Sequence, residues 1–202
     1  MTRRGAKNRN VVGATGFYPR QQGDDYPTPA GSFEMMAARE MPGLTASAVW
    51  ECAAGEGDLA RRIHKVTGLK PISTTLEDRG WGRTGVDFLK TTRLLAPTIV
   101  TNPPFNTPHR SWSKFAQHAH GLGAHRVYLF GRLLNLESAH RQQMFKDTGL
   151  SRVWVHSERM DGRPEHVKKE GDAKGGFVAY AWFVWDIGSR PLNPGTFEGG
   201  FL

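Results

Sequence analysis

The sequence predicts an α/β fold: a mostly parallel sheet flanked by helices, with a terminal antiparallel hairpin. Three observations predict it. Short apolar runs alternate with stretches whose apolar residues recur every three or four positions, the pattern of strands alternating with amphipathic helices. Two of the apolar runs end directly in glycine or proline pairs, where a strand must stop and the chain turn. The last two apolar runs are separated only by a polar loop, which suits antiparallel neighbours.

Each element follows from local chemistry. Residues 1–25 are a polar, glycine-rich lead carrying Arg3, Arg4, Lys7 and Arg9, read as a basic flexible arm before a single domain at 26–202. Tyr26-Pro27-Thr28-Pro29 is extended, because each proline fixes its own φ and restricts its predecessor. A helix is expected over 31–40, with Phe33, Met36 and Ala37 on one face. A buried strand over 47–51 runs into Gly55 and Gly57, and Leu59, Ile63 and Val66 then mark a helix. Residues 71–76 read as the second strand, 87–89 as a short structured loop, and 98–101 as a third strand halted by Pro103 and Pro104. Trp112, Phe115, Ala116 and Ala119 mark the next helix, and 127–130 the next strand. Leu136, His140, Gln143 and Met144 mark a helix that Gly149 closes. Residues 152–156 and 177–187 are the last two strands, and the charged loop between them occupies 157–176.

The chain has 202 residues, a length suited to one domain with a real core. Lysine and arginine total 27 against 19 acids, giving +8 and a pI near 9.9. Such a surplus favours polyanion partners, above all nucleic acid. The single cysteine, Cys52, excludes an intrachain disulfide and a cysteine-rich zinc site. No apolar run approaches the ~20 residues a membrane helix needs, so no membrane partner is expected. No apolar stretch follows the basic N-terminus, so it does not read as a secretory signal.

Two segments carry chemistry. Glu51-Cys52-Ala53-Ala54-Gly55-Glu56-Gly57-Asp58-Leu59 joins a strand to a helix. Its glycines let the backbone turn tightly and approach a ligand at a strand's carboxyl end. Ala60 stands where a dinucleotide fingerprint has its third glycine, and no Gly-Lys-Ser/Thr follows. Glu51 instead suits a ligand with a cationic amine. Asn102-Pro103-Pro104-Phe105 ends another strand. An aromatic amine is a poor nucleophile because its lone pair is delocalised into the ring. The Asn102 side-chain oxygen and the Pro103 carbonyl can accept its two N–H bonds and draw the nitrogen towards a tetrahedral geometry. The prolines fix where these acceptors point, and Phe105 can stack on the ring. Attack on a sulfonium methyl group needs no strong general base. His118, His120 and His125 do not share a helix face, so no metal site is expected, and Cys52 reads as a packing residue.

These segments resemble those of DNA N6-adenine methyltransferases, particularly small phage and bacterial members with the Rossmann-like class I fold. The matching pieces are Tyr26 to Pro29, Trp50 to Gly57, Gly85-Val86-Asp87-Phe88-Leu89 and Thr101 to Phe105. Val153-Trp154-Val155, Ser157-Glu158-Arg159 and Ala179 to Trp185 are similar too. The resemblance implies S-adenosylmethionine as cofactor. Glu51, Gly55 and Gly57 would contact its methionine portion, and Tyr26, Pro27 and Thr28 would close over it. Asp87 would bond its adenine amino group with Phe88 beside the ring, and Asn102 would lie against both cofactor and target. Thr75 stands where relatives place an acid for the ribose hydroxyls, so Asp78 or Glu77 would have to serve. The resemblance also implies a cytoplasmic enzyme, of a bacterium or a phage-infected host cell.

The implied partner is DNA, double-stranded, with the target adenine flipped out of the stack. Candidate phosphate-contacting residues are Arg110, Lys114, Arg132, Arg141, Arg159, Arg163, Lys168, Lys169 and Lys174, and 157–176 is the candidate target-recognition loop. Three other readings stay open: methylation of RNA adenine, methylation of a protein glutamine amide, and a non-catalytic nucleic-acid-binding protein on the same scaffold. The acceptor geometry at Asn102 also suits a cytosine amine.

Overall fold

The computed structural model describes residues 27–104, 106–107, 110–158, 160, 178–187 and 197–202. Helix α1 (Ser32–Leu44) leads into β1 (Val49–Glu51), α2 (Asp58–Thr67) and β2 (Ile72–Ser73). A 3-10 turn at Phe88–Lys90 precedes β3 (Thr98–Thr101). β4 (Asn106–Thr107) and β5 (Arg110–Ser111) form a small antiparallel ribbon ahead of α3 (Trp112–Gly121). There follow β6 (Arg126–Arg132), a 3-10 turn at Leu133–Leu136, α4 (Ala139–Thr148), β7 (Arg152–Val155), β8 (Tyr180–Asp186) and β9 (Glu198–Phe201).

The seven-stranded sheet has the order β2-β1-β3-β6-β8-β7-β9. β2, β1, β3 and β6 pair in parallel; β8 is antiparallel to both β6 and β7, and β9 joins β7 in parallel. Thus β8 alone of these strands opposes the rest. The expected antiparallel pair is present, but its second strand inserts between β6 and β7 rather than extending the edge.

Helices cover both faces, as buried parallel strands require. One core layer joins Trp50, Ile99, Val127, Leu129, Val153 and Phe183 to Trp112, Phe115 and Phe145 from α3 and α4. The other joins Val49, Val100, Tyr128, Phe130, Trp154 and Trp182 to Phe33, Met36, Leu59 and Ile63 from α1 and α2. Alternate residues of each strand enter opposite layers, as the pleat dictates.

The expected helix over 31–40 runs on to Leu44, through Pro42. Leu44 is fully buried, and a proline in the last turn disrupts few helix bonds, so burial prevails. The strand expected over 71–76 pairs only at Ile72–Ser73. Beyond it Thr74 donates to the Glu51 carbonyl, and Thr75 turns to exchange backbone bonds with Arg83 and Val86. Gly149 closes α4 as expected, at φ 73°, its N–H reaching the Phe145 carbonyl. The arm at 1–25, and all of the 157–176 loop except 157, 158 and 160, lie outside the described residues.

Candidate functional site

In the order β2-β1-β3 the chain moves from β1 outwards to β2, then returns to the other side of β1 as β3. Open α/β sheets bind ligands at such a reversal, outside the carboxyl ends of the strands that flank it, here β1 and β3. Both sequence-predicted segments meet there. β1 ends in Glu51 and the glycine loop; β3 ends in Thr101 and Asn102.

Glu51 is 1% exposed. Its Oε1 accepts from the Ala53 N–H at 3.1 Å and from the Thr101 hydroxyl. One carboxylate therefore couples the glycine loop to the residue preceding Asn102. The loop folds back at once: Gly57 N–H donates to the Ala54 carbonyl at 2.7 Å, and Ala54 N–H to the Thr74 carbonyl at 3.0 Å. Gly55 at φ 53° and Gly57 at φ 85° adopt the left-handed backbone that favours glycine. Cys52 is buried beside Glu51; burial, reinforced by the Glu51 carboxylate, pushes its thiol pKa up. It is a neutral packing residue.

Asn102 and Pro104 are half-buried and Pro103 is buried. Phe105 and Tyr26 lie outside the described residues, while Pro27 is half-buried and Thr28 buried ahead of α1. Asp87 is brought to the same end of the sheet because Val86 N–H bonds the Thr75 carbonyl; its Oδ1 accepts the Leu89 N–H. Phe88, the residue expected beside the cofactor ring, follows Asp87 directly. It is 2% exposed, edge-on to Trp50 at 5.2 Å, stacked on Phe115 at 5.0 Å and edge-on to His118, so its ring is a core group. Asp78 is exposed and spends Oδ1 on the Gly80 N–H two residues on.

The cationic candidates divide. Arg132 ends β6, in register with β3 through Leu129 and Thr101, and Lys114 is exposed in the first turn of α3. The backbone of Arg110 lies in β5, just before that helix. The Arg141 guanidinium bonds the Leu134 and Glu137 carbonyls, in and just after the turn that follows β6. Arg159, Arg163, Lys168, Lys169 and Lys174 lie outside the described residues.

Sequence reasoning missed Thr101, whose hydroxyl ties the two segments together, and Trp81, whose indole lies against Gly57. A polar residue closing an otherwise apolar strand was the available signal for the first. Among the described residues, no helix is long and apolar enough to cross a membrane.

No family model matches the sequence, and no curated protein matches it. Solved structures do. A Listeria monocytogenes protein provisionally classed as a class I S-adenosylmethionine-dependent methyltransferase aligns with TM-score 0.57 at 9% identity, over 87% of this chain and 65% of its own. The type I restriction-modification methyltransferase subunit of Streptococcus thermophilus aligns with TM-score 0.56 at 8% identity, over 87% of this chain and 48% of its own. A Pyrococcus horikoshii protein provisionally named an RNA methyltransferase aligns with TM-score 0.57 at 15% identity, over 84% and 90%. The fold is therefore the Rossmann-like class I methyltransferase fold. The chain spans about two thirds of the length of the first of these proteins and about half of the second.

Proposed function

We propose that this chain is an S-adenosylmethionine-dependent methyltransferase acting on the exocyclic amine of an adenine flipped out of DNA. The observation that carries the proposal is the convergence of Glu51 and Asn102-Pro103-Pro104 on one end of the sheet, joined through Thr101. The fold likeness to a restriction-modification methyltransferase subunit and the net charge of +8 support DNA as the substrate.

The residues present fit the methionine end of the cofactor. A buried carboxylate, Glu51, stands in one loop with left-handed Gly55, an acceptor for an ammonium group beside a backbone open to close approach. The end of β2 offers no buried acid among the described residues: Thr75 is buried and uncharged, Glu77 pairs with Arg79, and Asp78 is exposed. When bound, S-adenosylmethionine would supply an electrophilic methyl group whose leaving group is a neutral thioether. The protein's part is to make the amine nucleophilic. The Asn102 side-chain oxygen and the Pro103 carbonyl accept the two N–H bonds, pulling the lone pair out of ring conjugation. Pro103 and Pro104 lock this segment at the end of β3, so little reorganisation accompanies reaction.

The test is transfer of labelled methyl from S-adenosylmethionine to unmethylated DNA, RNA and protein side by side. DNA should be labelled at N6 of adenine in a fixed sequence context. Asn102→Ala should lower transfer by at least about a hundredfold, the loss typical of removing one transition-state acceptor or donor, while cofactor binding persists. Label only in RNA or protein would overturn the DNA assignment.

A further inference from the structure

We propose that Trp81 forms the wall of the nucleoside end of the cofactor site, serving by aromatic contact where the second strand provides no acid. The inference rests on the methyltransferase reading and goes beyond it to a residue that the sequence motifs do not mark.

The chain has six tryptophans. Trp50, Trp112, Trp154, Trp182 and Trp185 are all buried in the core, at most 8% exposed. Trp81 is the exception, half-buried at the carboxyl end of the sheet. It is built into place from three sides. A side chain on Gly57 would run into its indole at Cδ2, Cγ and Cε2, so the glycine loop leaves the space that Trp81 fills. The Arg61 guanidinium lies 4.9 Å from the indole centroid while bonding the Glu56 carbonyl and Asp58. Gly80 and Gly82 flank it at φ 78° and 72°, and a Cβ on Gly82 would stand 2.7 Å from the Ser73 carbonyl oxygen. The loop is thereby held tightly against β2, and Trp81 is carried onto the glycine loop.

Arg61 covers part of the indole, and the surface left exposed can meet a flat heteroaromatic ring or the edge of a sugar. Thr75 is buried, Glu77 is engaged by Arg79, and Asp78 by its own turn. The geometry thus points to recognition of the nucleoside by contact rather than by a carboxylate.

The test uses the full chain and S-adenosylhomocysteine, which carries the same nucleoside. Because the other tryptophans are buried, acrylamide quenching of intrinsic fluorescence reports chiefly on Trp81. Saturating S-adenosylhomocysteine should protect the wild type from quenching and leave quenching of Trp81→Phe unchanged. By calorimetry, Trp81→Ala should weaken binding about tenfold, and Trp81→Phe clearly less. Undiminished quenching of ligand-bound wild type, or a folded Trp81→Ala protein that binds as tightly as wild type, overturns the inference and leaves the methyltransferase reading standing. Failure of the wild type to bind S-adenosylhomocysteine at all overturns both.

Discussion

Gly57 has two separate reasons to be glycine. Its φ of 85° is a strained conformation for any residue with a Cβ, and the space a Cβ needs is occupied by Trp81. The two penalties separate experimentally. Gly57→Ala should destabilise the fold by about 3 kcal/mol, from left-handed strain and overpacking together. In a Trp81→Ala background the clash disappears and Gly57→Ala should cost only about 1–2 kcal/mol. Denaturant midpoints of the four proteins close this double-mutant cycle, and additive effects would show that the indole does not confine the loop. Residues of the candidate site stand out in sequence where chemistry and position coincide. Glu51 and Asn102 each end an apolar strand and precede a glycine or proline turn. Trp81 was not legible, since its contact with Gly57 is non-local. Phe88 packs between Trp50 and Phe115, a burial that a phenylalanine after an aspartate does not announce in sequence.

At the scale of elements, α1 is pinned at one end to β7 and at the other to β8 and to His156, which follows β7. Near its C-terminal half Glu40 takes a bidentate pair from Arg152 and a bond from Trp154 Nε1. At its first residue Ser32 Oγ bonds His156 Nε2 at 2.8 Å and accepts from Trp182 Nε1 at 3.0 Å. His156 is 6% exposed, and burial pushes its pKa down to about 4. In the unfolded chain it titrates near 6.5. Above that pH both states are neutral and the clamp is fully present. As pH falls from about 6.5 to 4 the unfolded chain takes up a proton that the folded state refuses, so stability is lost across that window. The loss approaches about 3 kcal/mol. Urea unfolding at pH 7 and pH 4.5 should therefore show a larger acid loss in wild type than in His156→Gln; equal losses would mean the imidazole is not held neutral by the fold. Elements were legible where apolar periodicity is strong, as in β1, β3, β6 and α2. β9 was not, because Glu198-Gly199-Gly200-Phe201 has neither alternation nor β-branched residues and pairs only because β7 presents an edge. The insertion of β8 between β6 and β7 is likewise a choice among sheet neighbours that local pattern does not encode.

For the whole molecule, composition supplies the sign of the field and the fold decides where it gathers. A surplus of eight positive charges was legible from the sequence. That Arg132 at the end of β6 and Lys114 in the first turn of α3 share the sheet end that carries Asn102 follows only from the parallel register of β3 and β6 and the short β5–α3 junction. If that end receives a DNA backbone, binding must release condensed counterions, and affinity for a duplex should fall steeply with salt. Neutralising six phosphates corresponds to a loss of about a thousandfold between 50 and 200 mM. Lys114→Ala should weaken binding to about the same degree on every duplex sequence and lower the log–log salt slope by about one. Fluorescence anisotropy across a salt series on two unrelated duplexes measures both quantities. A changed sequence preference at constant slope would place Lys114 against base edges, whereas an unchanged slope and affinity would remove α3 from the interface and leave the nucleic-acid contact to other parts of the chain.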